Sequence, residues 1–245
     1  MRTIPLILVV TVLALAASAA EVPLNWPLPT PPPGANPATF AVPRNEWLVK
    51  VQTNLERARA PEPIDLLFEG DSITEGWKTA GREVWQSRYG GLHAATFGIS
   101  ADRTEHVLWR IRNGQMDGIS PKLIVLMIGT NNLGRDTVEQ VAEGVAVITQ
   151  ELLARCPSSR VLVLGIFPRG ARPDAPIRTK IKEVNRRIAE LASHERVEYL
   201  DIGDRLLKPD GTLGVDIMPD LLHPARPGYE IWANAIQPVI DRFIR

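Results

Sequence analysis

From Pro63 onward the sequence alternates short apolar runs with longer segments of helical periodicity, and this alternation restricts the chain to one class of fold. The runs cover residues 64–68, 94–97, 123–128, 161–167 and 197–200. Runs of this length, rich in branched side chains, read as strands buried on both faces, the condition of a parallel sheet covered by helices. Parallel neighbours need a crossover long enough to hold a helix. Helices are predicted over 82–88, 103–112, 137–155 and 177–192, with a last one over 227–243 that Pro238 should kink. In the third of these, Asp136 and Glu139 have the spacing of a capping box, and Val141, Val145, Ile148 and Leu152 form one apolar stripe. Upstream, Asn45 is predicted to cap a helix reaching Ala60, with Trp47, Val51 and Leu55 on its inner face. The expectation is an α/β protein with a five-stranded, mainly parallel sheet and helices on both faces. Such sheets bind and react at the carboxyl ends of their strands.

The segment before this alternation is of a different character. Arg2, an apolar run over 4–17 and the small residues Ala17-Ser18-Ala19 fit a secretory signal peptide over residues 1–20, which predicts a secreted or periplasmic protein with no stable membrane insertion after removal of the signal. No cysteine stands at the cleavage point, which argues against a lipid anchor. Residues 21–44 contain eight prolines and read as a strap or linker, with Trp26 and Phe40 as apolar anchors onto the domain that follows, residues 45–245. Lys and Arg total 28 against 28 Asp and Glu, so charge gives no reason to expect nucleic acid as a partner. Cys156 is the single cysteine and reads as a plain thiol.

Chemistry is sought after each run. The first is followed by Glu69-Gly70-Asp71-Ser72, which puts a serine in a tight turn at a strand end, either as an exposed nucleophile or as an ordinary helix cap. The third ends in Gly129-Thr130-Asn131-Asn132, where the Asn131 amide can donate to a developing oxyanion or merely form a turn. Near the C-terminus, Asp220 precedes His223 by three residues, the spacing of a local salt link or of an oriented general base. The other histidines, His93, His106 and His194, read as structural. The acidic stretch Asp204, Asp210, Asp216, Asp220 has a single histidine near it and no paired-ligand spacing, so neither a metal nor a nucleotide cofactor is expected.

Taken in order, Gly70-Asp71-Ser72, Phe97-Gly98-Ile99-Ser100-Ala101-Asp102, Gly129-Thr130-Asn131-Asn132 and Asp220-x-x-His223 resemble the four blocks of the SGNH/GDSL hydrolases. A nearer resemblance, to the catalytic subunits of the intracellular platelet-activating-factor acetylhydrolases and their bacterial relatives, lies in His106-Val107-Leu108-Trp109-Arg110, Asn113-Gly114 and residues 164–170. The resemblance implies a flavodoxin-like three-layer α/β/α sandwich that hydrolyses small esters without a cofactor, and it makes a homodimer an expectation. It implies Ser72 as nucleophile, His223 as base and Asp220 as its orienting acid, with an oxyanion hole from the Ser72 and Ala101 N–H groups and the Asn131 side chain. Ala101 departs from the family, which usually has glycine there. If the position needs positive φ, alanine costs about 1 kcal/mol.

The secretory leader favours acetylated carbohydrate as the ester over an acetyl phospholipid. Acyl transfer to a sugar, and a non-catalytic glycan-binding or assembly role, stand as rivals. Arg169 is expected to pair with a surface carboxylate rather than shape a pocket.

Overall fold

The computed structural model describes residues 28–244; the signal peptide expected over 1–20, the first part of the strap and Trp26 lie outside the described residues. Five strands form one sheet: β1 (Leu66–Gly70), β2 (Ala94–Thr96), β3 (Leu123–Met127), β4 (Arg160–Leu164) and β5 (Val197–Leu200). Their order is β2-β1-β3-β4-β5, and every pairing is parallel. This is the doubly wound order whose chain reverses direction of growth between β1 and β3, which opens a crevice at the carboxyl ends of those two strands.

The helices are α1 (Leu48–Arg59), α2 (Ser72–Glu75), α3 (Arg82–Tyr89), α4 (Thr104–Arg110), α5 (Val138–Arg155), α6 (Pro176–Ile188) and α7 (Arg226–Phe243). Strand side chains alternate between two cores, as the period of two requires. Leu67, Ile124, Leu126, Val161 and Val163 pack on one side with Val107 and Leu108 of α4, Val145 and Ile148 of α5 and Val184 of α6. Leu66, Phe68, Val125, Met127 and Leu162 pack on the other with Val84 of α3 and Trp232 and Ile236 of α7. The second core is aromatic near the site. Phe68 meets Trp77, Trp85, Tyr89 and Trp232 with ring centroids 5.2 to 6.1 Å apart, in the edge-on and tilted geometries that ring quadrupoles favour.

Several local expectations change. The capping box of α5 is Thr137 with Gln140, one residue beyond the Asp136 and Glu139 pair, because Asp136 turns inward to Arg135 and Asn132. Asn45 opens a single 3-10 turn, Asn45–Trp47, that leads into α1, and so does not cap the α-helix itself. The helix predicted over 103–112 stops being α-helical after Arg110, in a turn where Gly114 takes φ 96°. Pro238 lies inside α7 as expected. Cys156 is buried and free.

The described part of the strap lies on the domain. Asn36 caps the turn Pro37–Thr39 through Ala38 N, and its Nδ2 donates to Gln140 O at 3.1 Å and to Glu143 Oε2 at 2.9 Å on α5. Thr104 Oγ1 at the start of α4 donates to Ala38 O at 2.8 Å, and Val42 N donates to Glu105 O at 3.3 Å. Prolines leave few backbone donors, so the side chains of Asn36 and Thr104 supply most of these bonds.

Candidate active site

The residues picked out by sequence converge on the carboxyl ends of β1 and β3. Gly70 ends β1 where a side chain would overlap Met127 O of β3 and Thr74 Oγ1, so only glycine lets the two strand ends close up. Asp71 then caps α2, its Oδ1 accepting from Ile73 N at 3.0 Å. Ser72 is the first residue of that helix, where backbone N–H groups have no partner within the helix. The serine is therefore not the cap, the ordinary alternative for a serine at this position.

His223 arrives from the loop before α7, 151 residues later, with Nε2 2.9 Å from Ser72 Oγ. Asp220 accepts from His223 Nδ1 at 2.6 Å through Oδ2, and from the backbone N–H groups of Leu222 and His223 at 3.0 and 2.7 Å through Oδ1. Partial burial alone would raise the Asp220 pKa, but these bonds from the His223 ring and the two amides outweigh it and hold the carboxyl at about 2. An ionised carboxylate only accepts, so Nδ1 carries the imidazole proton and Nε2 is left to accept from the Ser72 hydroxyl. Ser72, His223 and Asp220 thus form one continuous hydrogen-bonded line.

Opposite Ser72, the segment 97–102 folds against α2. Gly98 packs on the backbone of residues 71–75, Ile99 N donates to Gly70 O at 3.2 Å, and Glu75 Oε2 accepts from Ser100 N at 2.8 Å and from Ser100 Oγ. Ala101 does adopt positive φ, 58°, the left-handed region that favours glycine. Asn131 follows β3; its Nδ2 donates to Asp102 O at 2.9 Å, which occupies one of its two amide protons. Ala101 and Asn131 line the same cavity of about 740 Å³, to which strap residues including Pro31, Phe40 and Pro43 also contribute. The neighbouring Asn132 is fully buried and structural: Oδ1 accepts from Thr104 N, and Nδ2 donates to Thr104 Oγ1, Glu105 Oε2 and Asp136 Oδ2.

Sequence reasoning missed the support beneath the site. Arg110, 2% exposed, donates from Nε to Asp102 Oδ2 at 2.9 Å and from Nη2 to Glu69 Oε1 at 2.8 Å, with further bonds to Phe97 O and the Gln115 side chain. It clamps the strand before Ser72 to the loop holding Ala101. The available signal was an arginine among Val107, Leu108 and Ile111, where a charge would not be buried without partners. Arg169 also differs from expectation: its Nη1 lies 3.4 Å from Thr130 O and Oγ1, not on a surface carboxylate.

The remaining histidines lie apart from this line. Burial first, and then four nearby arginines, push the His106 pKa down to about 3, and its Nδ1 accepts from Arg103 N at 3.0 Å. His93 pairs with Asp65 at 3.0 Å, a carboxylate too far away in sequence for spacing to reveal.

Comparison with known proteins follows the same blocks. A model of the GDSL-like Lipase/Acylhydrolase family matches residues 68–231. The platelet-activating factor acetylhydrolase IB subunit alpha1 of Homo sapiens is 37% identical over 216 residues, covering 85% of this chain and 91% of that protein. A solved platelet activating factor protein from Streptococcus pneumonia has TM-score 0.67 at 25% identity, covering 78% of this chain and 91% of that one. An acetylxylan esterase from Geobacillus stearothermophilus shares the fold, with TM-score 0.56 at 18% identity over 74% of this chain and 95% of that one.

Proposed function

This chain belongs to the GDSL-like lipase/acylhydrolase family and is a carboxylic ester hydrolase, and from that premise we propose that Ser72, His223 and Asp220 remove short acyl groups by way of an acyl-enzyme. The observation that carries the reading is the approach of Ser72 Oγ to within 2.9 Å of His223 Nε2, whose Nδ1 is already engaged by Asp220.

In the first step Ser72 Oγ attacks the ester carbonyl carbon while His223 Nε2 takes its proton. The carbonyl electrons move onto oxygen, and the oxyanion is held by the Ser72 and Ala101 N–H groups and by the second amide proton of Asn131. Collapse breaks the bond to the alcohol oxygen, which receives the proton from His223. Water then attacks acyl-Ser72, His223 takes its proton, and the second collapse returns that proton to Ser72 and releases the acid. Asp220 stays ionised throughout and stabilises the imidazolium.

The acyl group we favour is acetyl, the group named in the activity of the relative that is 37% identical. The alcohol we favour is carbohydrate, because a leader over residues 1–20 would deliver the enzyme to the cell exterior or periplasm, where acetylated polysaccharide is met. The relative's own name favours the second reading, an acetyl phospholipid. Purified protein and its S72A variant, assayed on an aryl acetate, acetylated xylooligosaccharides and an acetyl phospholipid, test both levels. Turnover by S72A would remove the nucleophile assignment; faster turnover of the phospholipid than of the oligosaccharides would move the substrate to lipid.

A further inference from the structure

The strap ends at Arg44, and Arg44 touches the site. Its Nη1 donates to Ala101 O at 2.6 Å, a bond between residues 57 apart in sequence. Ala101 is the third residue of a turn closed by Asp102 N donating to Ile99 O at 3.2 Å, and it alone of the two central residues has positive φ. That pattern is a type II turn, which ordinarily calls for glycine at this position. With alanine, the competing type I turn is favoured sterically. The two differ by rotation of the peptide between residues 100 and 101, which carries the Ala101 N–H to the opposite face.

What opposes that rotation lies on both flanks of the peptide. Upstream, the Glu75 carboxylate grips the Ser100 N–H and hydroxyl, and Lys50 holds Glu75 at 2.7 Å. Downstream, Arg44 fixes the Ala101 carbonyl and Asn131 Nδ2 fixes that of Asp102. Arg44 is the clamp that the strap supplies. Its guanidinium has no closer engagement with Glu46, which stands 3.8 Å away and is largely exposed. The strap that delivers it also lines, through Pro31, Phe40 and Pro43, the cavity of about 740 Å³ shared with Ala101 and Asn131.

We propose that Arg44, the last residue of the proline-rich strap, is a positioning residue that keeps Ala101 in its left-handed conformation. This rests on the reading of Ala101 as an oxyanion donor. It also accounts for how the chain uses alanine where its family usually has glycine: the conformational preference lost at residue 101 is replaced by a tie from the strap.

The test measures kcat and KM on an aryl acetate for R44A, R44K, N36A, A101G and the double variant R44A/A101G. Removing a whole oxyanion donor costs about 10² to 10³ in kcat, and a donor left in place but loosened should cost about tenfold. We therefore expect R44A to lower kcat about tenfold with KM within about twofold, and R44K, which keeps a cationic donor, to restore most of it. N36A, which releases the strap from α5 without touching Ala101, should leave kcat unchanged. In the A101G background the same R44A change should cost less than about threefold, since glycine holds positive φ unaided. An equal loss in both backgrounds, an equal loss in N36A, or no loss in R44A would overturn the proposal. If R44A fails to fold, R44Q in the two backgrounds reads the same coupling. The S72A control separates the two levels: turnover by S72A defeats the nucleophile reading, whereas an inactive S72A beside a fully active R44A defeats this one alone.

Discussion

Asp220 holds His223 twice, once by the ring through Oδ2 at 2.6 Å and once by the backbone through Oδ1 at 2.7 Å. The two contacts can be separated. Asparagine at 220 can still accept the Leu222 and His223 amides through its one carbonyl oxygen, so the turn in which Leu221 takes φ 61° should persist. It cannot accept the Nδ1 proton with its NH2 group, so the imidazole is pushed toward the wrong tautomer and the imidazolium loses its counter-charge. D220N should therefore fold with unchanged circular dichroism and lose about 10² to 10³ in kcat, below the roughly 10⁴ known for a buried triad aspartate because Asp220 is exposed. A kcat within threefold of wild type would show that Asp220 only shapes the loop.

Beneath the site the charge of Arg110 is set against two buried carboxylates, Glu69 and Asp102. R110M keeps much of the volume but leaves both carboxyls facing an apolar side chain in a site closed to water. Breaking a buried pair in this way costs about 3 to 5 kcal/mol. Urea denaturation should show a loss of that order, with the midpoint moving and the slope nearly constant. A loss below about 1 kcal/mol would mean that the carboxyls are accommodated as neutral acids and that Arg110 is dispensable for the fold.

Strands were legible because buried parallel strands are written as uninterrupted apolar runs, and the ends of β1 to β5 fall within about three residues of the ends of their runs. Ser72, Asn131, Asp220 and His223 were legible because each follows an element end or forms a local pair. The candidate site lies where the sheet order puts the crevice, beside β1 and β3. What escaped the sequence depends on partners distant along the chain. Arg110 meets Glu69 over 41 residues and Arg44 meets Ala101 over 57, and neither spacing has a periodic signature. The capping residue of α5 was misplaced by one because Asp136 has two partners, Arg135 and Asn132, that only the fold brings to it.

Gly98 offers a test of how tightly the second block must pack. A Cβ there would stand 2.7 Å from Thr74 C and 2.8 Å from Asp71 O, both backbone atoms of the segment bearing Ser72. Backbone cannot swing aside as a flexible side chain can, so α2 or the segment 97–102 must shift. G98A should be destabilised by about 1 to 3 kcal/mol, the usual cost of overpacking. Because the shift falls between Ser72 and Ala101, kcat should drop well beyond what partial unfolding at the assay temperature explains. Thermal melts beside kinetics on fully folded protein check this, and wild-type kcat in the folded fraction would contradict it.

Asp71 gives the fold a pH dependence of unusual sign. Its carboxyl is fully buried, Oδ1 is bonded to Ile73 N, and Oδ2 has no hydrogen-bond partner among the described residues. Burial, reinforced by the nearby Asp102 charge, raises its pKa from 3.8 to about 7 against the opposing pull of the Ile73 amide and Arg169. The native state thus binds a proton that the unfolded chain releases between these values. Stability from this group is fully present below pH 3.8 and is lost as pH rises through about 7. Three units at about 1.36 kcal/mol each bound the loss at about 4 kcal/mol. D71N keeps a cap that can accept from Ile73 N and has no proton to lose. Melting temperatures of wild type and D71N from pH 4 to 8 should therefore diverge, the variant falling less steeply, with a residual slope from Asp102, whose pKa burial also raises to about 7. Parallel curves would mean that Asp71 keeps its charge in the core and that the solvation it needs comes from groups around Oδ2.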